Sequence, residues 1–362
     1  MSNYKLWLPI ALSGIALAGC NSSGGSSNEG GGETPSNAEE IHIDSSSGAQ
    51  TKVDLDSGTS VQDDNWHVSY QKYVGFALNG GVSGSGNVAG CVAAEFEALF
   101  DDEGNAVADE FMKLTGSNTL ESFESVTMDS CDSFESDSLE TRIEFDDWVD
   151  YDFLTHQVSA KEGNAFLIKH SDGSTMSRFS VTSLNNDKDT TINVEQWNNG
   201  WETARDIDFN FADQRVYIDL DTDNPNATET DEWDISFVVD GRNYLIQING
   251  GASGDAIGAV ADVEADIVSG AAFDPTDEEV VSPYHWGADA TTGIMDGPGN
   301  YGALHYGVDG GHDMWPTFTT YLLQQEIADG VYQYYKVQVI SNTGPEGGLA
   351  SGNLVYRYEV LN

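Results

Sequence analysis

The chain has 362 residues, with Lys+Arg 14 against Asp+Glu 61 and a formal net charge of −47. A surface this acidic repels phosphate backbones and anionic lipid headgroups, which excludes nucleic-acid partners and a polybasic membrane patch. Its 39% hydrophobic and 10% aromatic residues exclude wholesale disorder, and the length predicts two domains.

The first segment is an address. Lys5 precedes the apolar Leu6-Trp7-Leu8-Pro9-Ile10-Ala11-Leu12, and Leu17-Ala18-Gly19-Cys20 closes the run, so residues 1–19 read as a secretory signal. The cysteine after Ala18-Gly19 resembles the lipobox of bacterial lipoproteins. That resemblance implies diacylation of Cys20, and Asn21 after it favours the outer membrane, facing the cell surface or the periplasm. Residues 20–40 then hold the lipidated cysteine and a Gly/Ser-rich tether with a reach of roughly 20–25 Å. No later apolar run is long enough to span a bilayer. Cys91 and Cys131 remain as an even pair in an oxidising compartment. A disulfide between them would close a loop of about 41 residues; two buried free thiols are the alternative.

The body is written twice. Lys52-Val53-Asp54-Leu55-Asp56, Asn65-Trp66-His67-Val68-Ser69-Tyr70 and Asn79-Gly80-Gly81-Val82-Ser83-Gly84 are answered in order by Tyr217-Ile218-Asp219-Leu220-Asp221, Glu232-Trp233-Asp234-Ile235-Ser236-Phe237 and Asn249-Gly250-Gly251-Ala252-Ser253-Gly254. Ala165-Phe166-Leu167-Ile168 and Arg178-Phe179-Ser180-Val181 likewise answer Thr320-Tyr321-Leu322-Leu323 and Lys336-Val337-Gln338-Val339, each pair spanning an Asp-Gly step. The repeat predicts two tandem homologous domains, 41–200 and 201–362. Both read as all-β, mainly antiparallel: Trp66, Val68 and Tyr70 alternate with polar residues, and Asp-Gly steps between apolar runs signal hairpins. Leu354, Tyr356, Tyr358 and Val360 form one face of a closing strand. Ala93 to Phe100 and Ala106 to Leu114 are the plausible helical pieces.

These segments resemble the HmuY family of haem-binding bacterial lipoproteins. The similarity lies in the opening Asp-Leu strand, the tryptophan strand and the Gly/Ser-rich turn Gly81-Val82-Ser83-Gly84-Ser85-Gly86. It continues in Trp148-Val149-Asp150-Tyr151 leading to Thr155-His156, and in the ending Gly352-Asn353-Leu354-Val355-Tyr356-Arg357-Tyr358. The resemblance implies haem as the ligand, captured outside the cell for delivery to an outer-membrane, TonB-dependent receptor. The family places an axial histidine just after the aromatic of the W-x-x-Y strand. Asp152-Phe153 stands there in the first copy, and Leu304-His305-Tyr306 in the second.

Haem requires apolar walls and one or two axial donors. His305, Tyr306, His312 and Met314, with His156 in the first copy, are the candidate ligands, and Tyr284, Trp286 and Trp315 the candidate walls. Packing of histidines and aromatics on a loop is the competing explanation. Calcium is a second ligand class, offered by Asp219, Asp221, Asp223, Asn226, Glu229, Asp231 and Glu232, although neither EF-hand register supplies the sixth-position glycine. No HExxH, GxSxG or Walker loop points to an enzyme. A tethered adhesion or envelope-interaction protein without a cofactor is the remaining alternative.

Overall fold

The structure, a computed structural model, describes residues 37–222 and 224–361. The signal, Cys20, most of the tether and Asp223 lie outside them. Within the described residues the regular structure is overwhelmingly antiparallel β, as the period-2 patterns predict.

The strands build two sandwiches. In one, a four-stranded sheet ordered Thr59–Val61, Thr51–Asp54, Val68–Gln71, Gly75–Leu78 meets a five-stranded sheet ordered Glu39–Asp44, Asn353–Leu361, Val331–Ser341, Thr320–Ala328, Val88–Ala94. Val53, Val68, Tyr70 and Leu78 share its core with Tyr321, Leu323, Val337 and Tyr356. In the other, the four-stranded sheet is Asn224–Ala227, Val216–Asp219, Ile235–Asp240, Asn243–Ile248. It meets a six-stranded sheet ordered Arg205–Asn210, Asp189–Gln196, Met176–Leu184, Phe166–Lys169, Ala259–Ala261, Trp286–Gly287. Ile218, Ile235, Phe237 and Ile246 pack there with Phe179, Val181, Ile192 and Val194.

The sequence division at 200/201 is therefore not a division in space. Each sandwich takes its small sheet from one side of that division and its long hairpin from the other. Val88–Ala94 pairs with Thr320–Ala328, Leu323 opposite Gly90, while Phe166–Lys169 pairs with Ala259–Ala261, Ile168 opposite Val260. The described residues form one compact unit.

The repeated Asn-Gly-Gly motif has the same physical task in both places. Asn79 Nδ2 donates to the Trp66 carbonyl at 2.8 Å, and Asn249 Nδ2 to that of Trp233 at 2.7 Å. The following turn is pinned by a distant aspartate: Leu78 N–H donates to Asp137 Oδ2 and Ile248 N–H to Asp289 Oδ2, both at 2.9 Å. Gly81 and Gly251 have φ of +61° and +62°, and a Cβ on them would fall 1.8 and 2.0 Å from the carbonyl oxygens of Asp137 and Asp289. Only glycine fits both demands.

Three expectations need correcting. The tryptophan strands are buried on both faces: His67 and Ser69, like Asp234 and Ser236, lie under covering structure rather than in solvent. The closing strand keeps its apolar face in the core, but Arg357 on the other face is buried too, its guanidinium over the Phe123 ring and bonded to the Gly116 carbonyl. The helical pieces shrink to a 3-10 turn at Glu97–Leu99 and one α-turn at Ala108–Phe111, because Ala93 and Ala94 end the strand Val88–Ala94. Cys91 of that strand forms the expected disulfide with Cys131, Cα atoms 6.5 Å apart.

The pinning carboxylates shape the acid response. Burial raises the pKa of Asp137 and Asp289 above the ordinary 3.8, so the native state holds their protons more tightly than the unfolded chain. Their contribution to stability falls as pH rises from 3.8 through their folded values. Asp101 and Asp152 act oppositely: backbone N–H groups of Asn105 and Leu154 lower them, and the stability they contribute is lost below 3.8. The Tm is thus expected to rise on acidification from neutrality to roughly pH 5, as charge repulsion also fades, and to fall below about pH 4. Circular-dichroism melts across this range check it; a steady decline from pH 7 downward contradicts it.

Candidate functional site

The hairpin Val149–Asp152/Gln157–Ala160 follows directly on a one-turn helix, Phe145–Trp148. At the start of that helix Asp147 Oδ2 accepts from Glu144 N–H at 2.9 Å. Its Trp148 is wholly buried, so the hairpin base is fixed by the core, and Val149 and Val158 are buried beside it. The tip is shaped by Asp152, whose Oδ1 accepts from Leu154 N–H at 2.8 Å and Thr155 N–H at 3.2 Å. The Asp152 carbonyl accepts from His156 N–H at 2.8 Å.

This turn has two consequences. Phe153 and Leu154 are thrown outward, 80% and 93% exposed. His156 takes φ +56°, a left-handed conformation that favours glycine and costs a non-glycine residue roughly 1–2 kcal/mol. There its Nδ1 lies 2.6 Å from the Tyr151 hydroxyl, and the Tyr151 ring stands edge-on to Phe153 at 5.0 Å. The neighbouring turn braces the tip. Asn186 Oδ1 accepts from Val158 N–H at 2.8 Å, and its amide donates to the His156 carbonyl at 3.1 Å. In that turn Lys188 carries its ammonium over the Tyr244 ring, 4.7 Å from the centroid.

A second tyrosine–histidine pair sits on another hairpin, Leu304–Tyr306/Met314–Pro316. The Tyr306 hydroxyl is bonded to His312 Nδ1, the rings stacked with centroids 6.1 Å apart, and His312 is exposed. The remaining candidates of that cluster lie in less open surroundings. Met314 is 6% exposed and belongs to the core of the first sandwich. His305 rests against Phe100 and Phe111, its Nδ1 accepts from Asn300 N–H at 3.2 Å, and burial lowers its pKa, which keeps it neutral at pH 7.

The three expected wall residues do not form one wall. Tyr284 is 95% exposed, Trp286 lies beneath the Lys169 ammonium, and Trp315 packs with Leu99, Phe111 and Val308. A cleft of about 910 Å³ is polar and acidic, lined by Asp172, Asp221, Glu229, Asp231 and Glu232 with Arg215. None of the main clefts is lined by His156, His305, Tyr306, His312 or Met314. In the stretch read for calcium, Asp219 and Asp231 are occupied with their own turns. Asp219 Oδ1 accepts from Asp221 N–H at 2.9 Å, and Asp231 Oδ2 from Thr228 N–H at 2.6 Å.

Of the residues expected from the sequence, His156 lies beside Tyr151 and His312 beside Tyr306, whereas Tyr151, Phe153 and Leu154 were not among the candidate ligands or walls. The signal was present: Tyr151 lies five positions before His156, with an Asx-turn aspartate and two apolar residues between them. Residues 46–196, which contain this hairpin, match the HmuY family model, described as HmuY protein. No curated protein matches the chain.

Proposed function

We propose, from the match of residues 46–196 to the HmuY family model, that this protein captures haem as cargo on the tip of the 149–160 hairpin. The family is one of haem-binding proteins. The observation that carries the placement is the Tyr151–His156 pair beside two uncovered apolar side chains, inside the matched segment.

The donor set fits the ligand. With Nδ1–H donating to the Tyr151 oxygen, His156 Nε2 keeps a lone pair for the iron, and the tyrosine fixes the ring as outer partners of metal-bound histidines do. Phe153 and Leu154 would cover one edge of the macrocycle, and Lys188 is the nearby cation for a propionate. The binding edge is open, which suits a carrier that must hand its cargo on. Tyr306–His312 is the corresponding pair from the second copy. In this reading acyl chains on Cys20 hold the body at the outer membrane through the tether, and an outer-membrane receptor takes the haem. No helix among the described residues is long and apolar enough to cross a membrane. The task is binding, not catalysis.

Absorption titration of haemin into the protein tests this. A saturable Soret shift is expected. The Phe153→Ser/Leu154→Ser variant is expected to bind about 10–100-fold more weakly, since covering each side chain is worth roughly 1.5–3 kcal/mol at most and part of that area stays exposed. Equal affinities for variant and wild type would place haem elsewhere.

A further inference from the structure

Two groups of histidine and carboxylate oxygens are gathered at the seams where a small sheet meets the hairpin from the other copy: Asp54, Asp56 and His67, and His170, Asp221 and Asp234. They occupy matching places, since Asp54, Asp56 and His67 answer Asp219, Asp221 and Asp234 in the repeat. Their chemistry differs. His67 is closed: its Nδ1 accepts the Leu55 N–H at 3.1 Å and its Nε2–H donates to Gln325 Oε1 at 3.1 Å. Both ring nitrogens have hydrogen-bond work that a metal would break.

His170 is arranged the other way. Its ring is fully buried, and Nε2 lies 2.8 Å from Ser177 Oγ. Nδ1 faces only carboxylates, 3.1 Å from Asp221 Oδ1 and 3.6 Å from Asp234 Oδ2. Asp234 is held rigid, its Oδ1 accepting from Ser171 N–H and its Oδ2 from Leu220 N–H, both at 2.8 Å. Asp221, half exposed, accepts from Gln196 Nε2 at 2.9 Å and opens onto the acidic cleft.

We infer that His170 Nδ1, Asp221 Oδ1 and Asp234 Oδ2 form a site for one divalent transition ion of the zinc type, with solvent from the cleft in the remaining position. Zinc bonds to nitrogen and oxygen are about 2.0–2.1 Å, so tetrahedral ligand atoms stand roughly 3.3 Å apart, a spacing that the two measured distances bracket. The three ligand atoms lie within 4.8 Å of one another. The Nε2–H tautomer of His170 donates to Ser177 Oγ, which holds the ring and leaves the Nδ1 lone pair for the ion. A histidine nitrogen among the donors disfavours calcium and magnesium, which prefer all-oxygen shells. The site is independent of the haem-binding hairpin.

Equilibrium dialysis of the metal-stripped protein against zinc, with millimolar magnesium present to occupy the acidic surface, tests the inference. One zinc per chain and a raised Tm are expected. His170→Gln should abolish the stoichiometric uptake. Asp221→Asn, at a half-exposed position that leaves the fold intact, should weaken it at least tenfold, while His156→Ala should leave it unchanged. Absence of one-to-one uptake by the wild type, or equal uptake by wild type and folded Asp221→Asn, overturns it.

Discussion

Trp148→Ala is expected to lower the unfolding free energy by about 3–5 kcal/mol, the loss typical when a large aromatic is removed from a closed core. The side chain is wholly buried among aromatic neighbours, edge-on to Phe237 at 5.6 Å and near Phe211 and Tyr244 at 6.4 and 6.5 Å. Their packing leaves little room to collapse into the space. The residue also joins the capped helix Phe145–Trp148 to the hairpin, so the damage should reach the tip: weaker haemin binding is expected together with the lost stability. Trp148→Phe should recover most of the loss, because the ring face survives. Urea denaturation reads the difference. A cost below about 1 kcal/mol would mean that Trp148 does not close this core.

Separated fragments 41–200 and 201–362 are expected to be unfolded alone and to fold together when mixed. The reason is the exchange of strands. Fragment 41–200 carries Val88–Ala94 without Thr320–Ala328, and Phe166–Lys169 without Ala259–Ala261. Each fragment would hold a small sheet whose apolar face lacks its cover and a hairpin with nothing to pack on. The uncovered apolar faces would outweigh any local propensity, since sheets need a partner layer to be stable. Circular dichroism of each fragment, then of an equimolar mixture, should give a cooperative melt only for the mixture. Native-like cooperative unfolding of either fragment by itself contradicts the exchanged topology.

The two sandwiches explain what could be read in advance. Local signals were legible because they are local: the alternation Leu354, Tyr356, Tyr358, the Asn-Gly-Gly turns and the Cys91–Cys131 pair all emerged as expected. The exchange was not legible. A repeat reveals which segments are alike, and Phe166–Lys169 looks as suited to a partner from its own copy as to Ala259–Ala261 from the other. Ala93-Ala94-Glu95 has good helix formers, but pairing of this strand with Thr320–Ala328 overrides that propensity. At the candidate site, clustering in sequence misled. Met314 sits among histidines in the chain yet points into the core, whereas Tyr151 and His156, which the sequence does not pair, are brought together by the Asp152 turn.

The haem reading rests on His156, and the most direct measurement is the axial-ligand spectrum of the haemin complex, by magnetic circular dichroism, for wild type and His156→Ala side by side. A histidine-type ferric signature in the wild type, lost with at least a tenfold fall in affinity in His156→Ala, is the expected result. Identical spectra and affinities for the two proteins would contradict it.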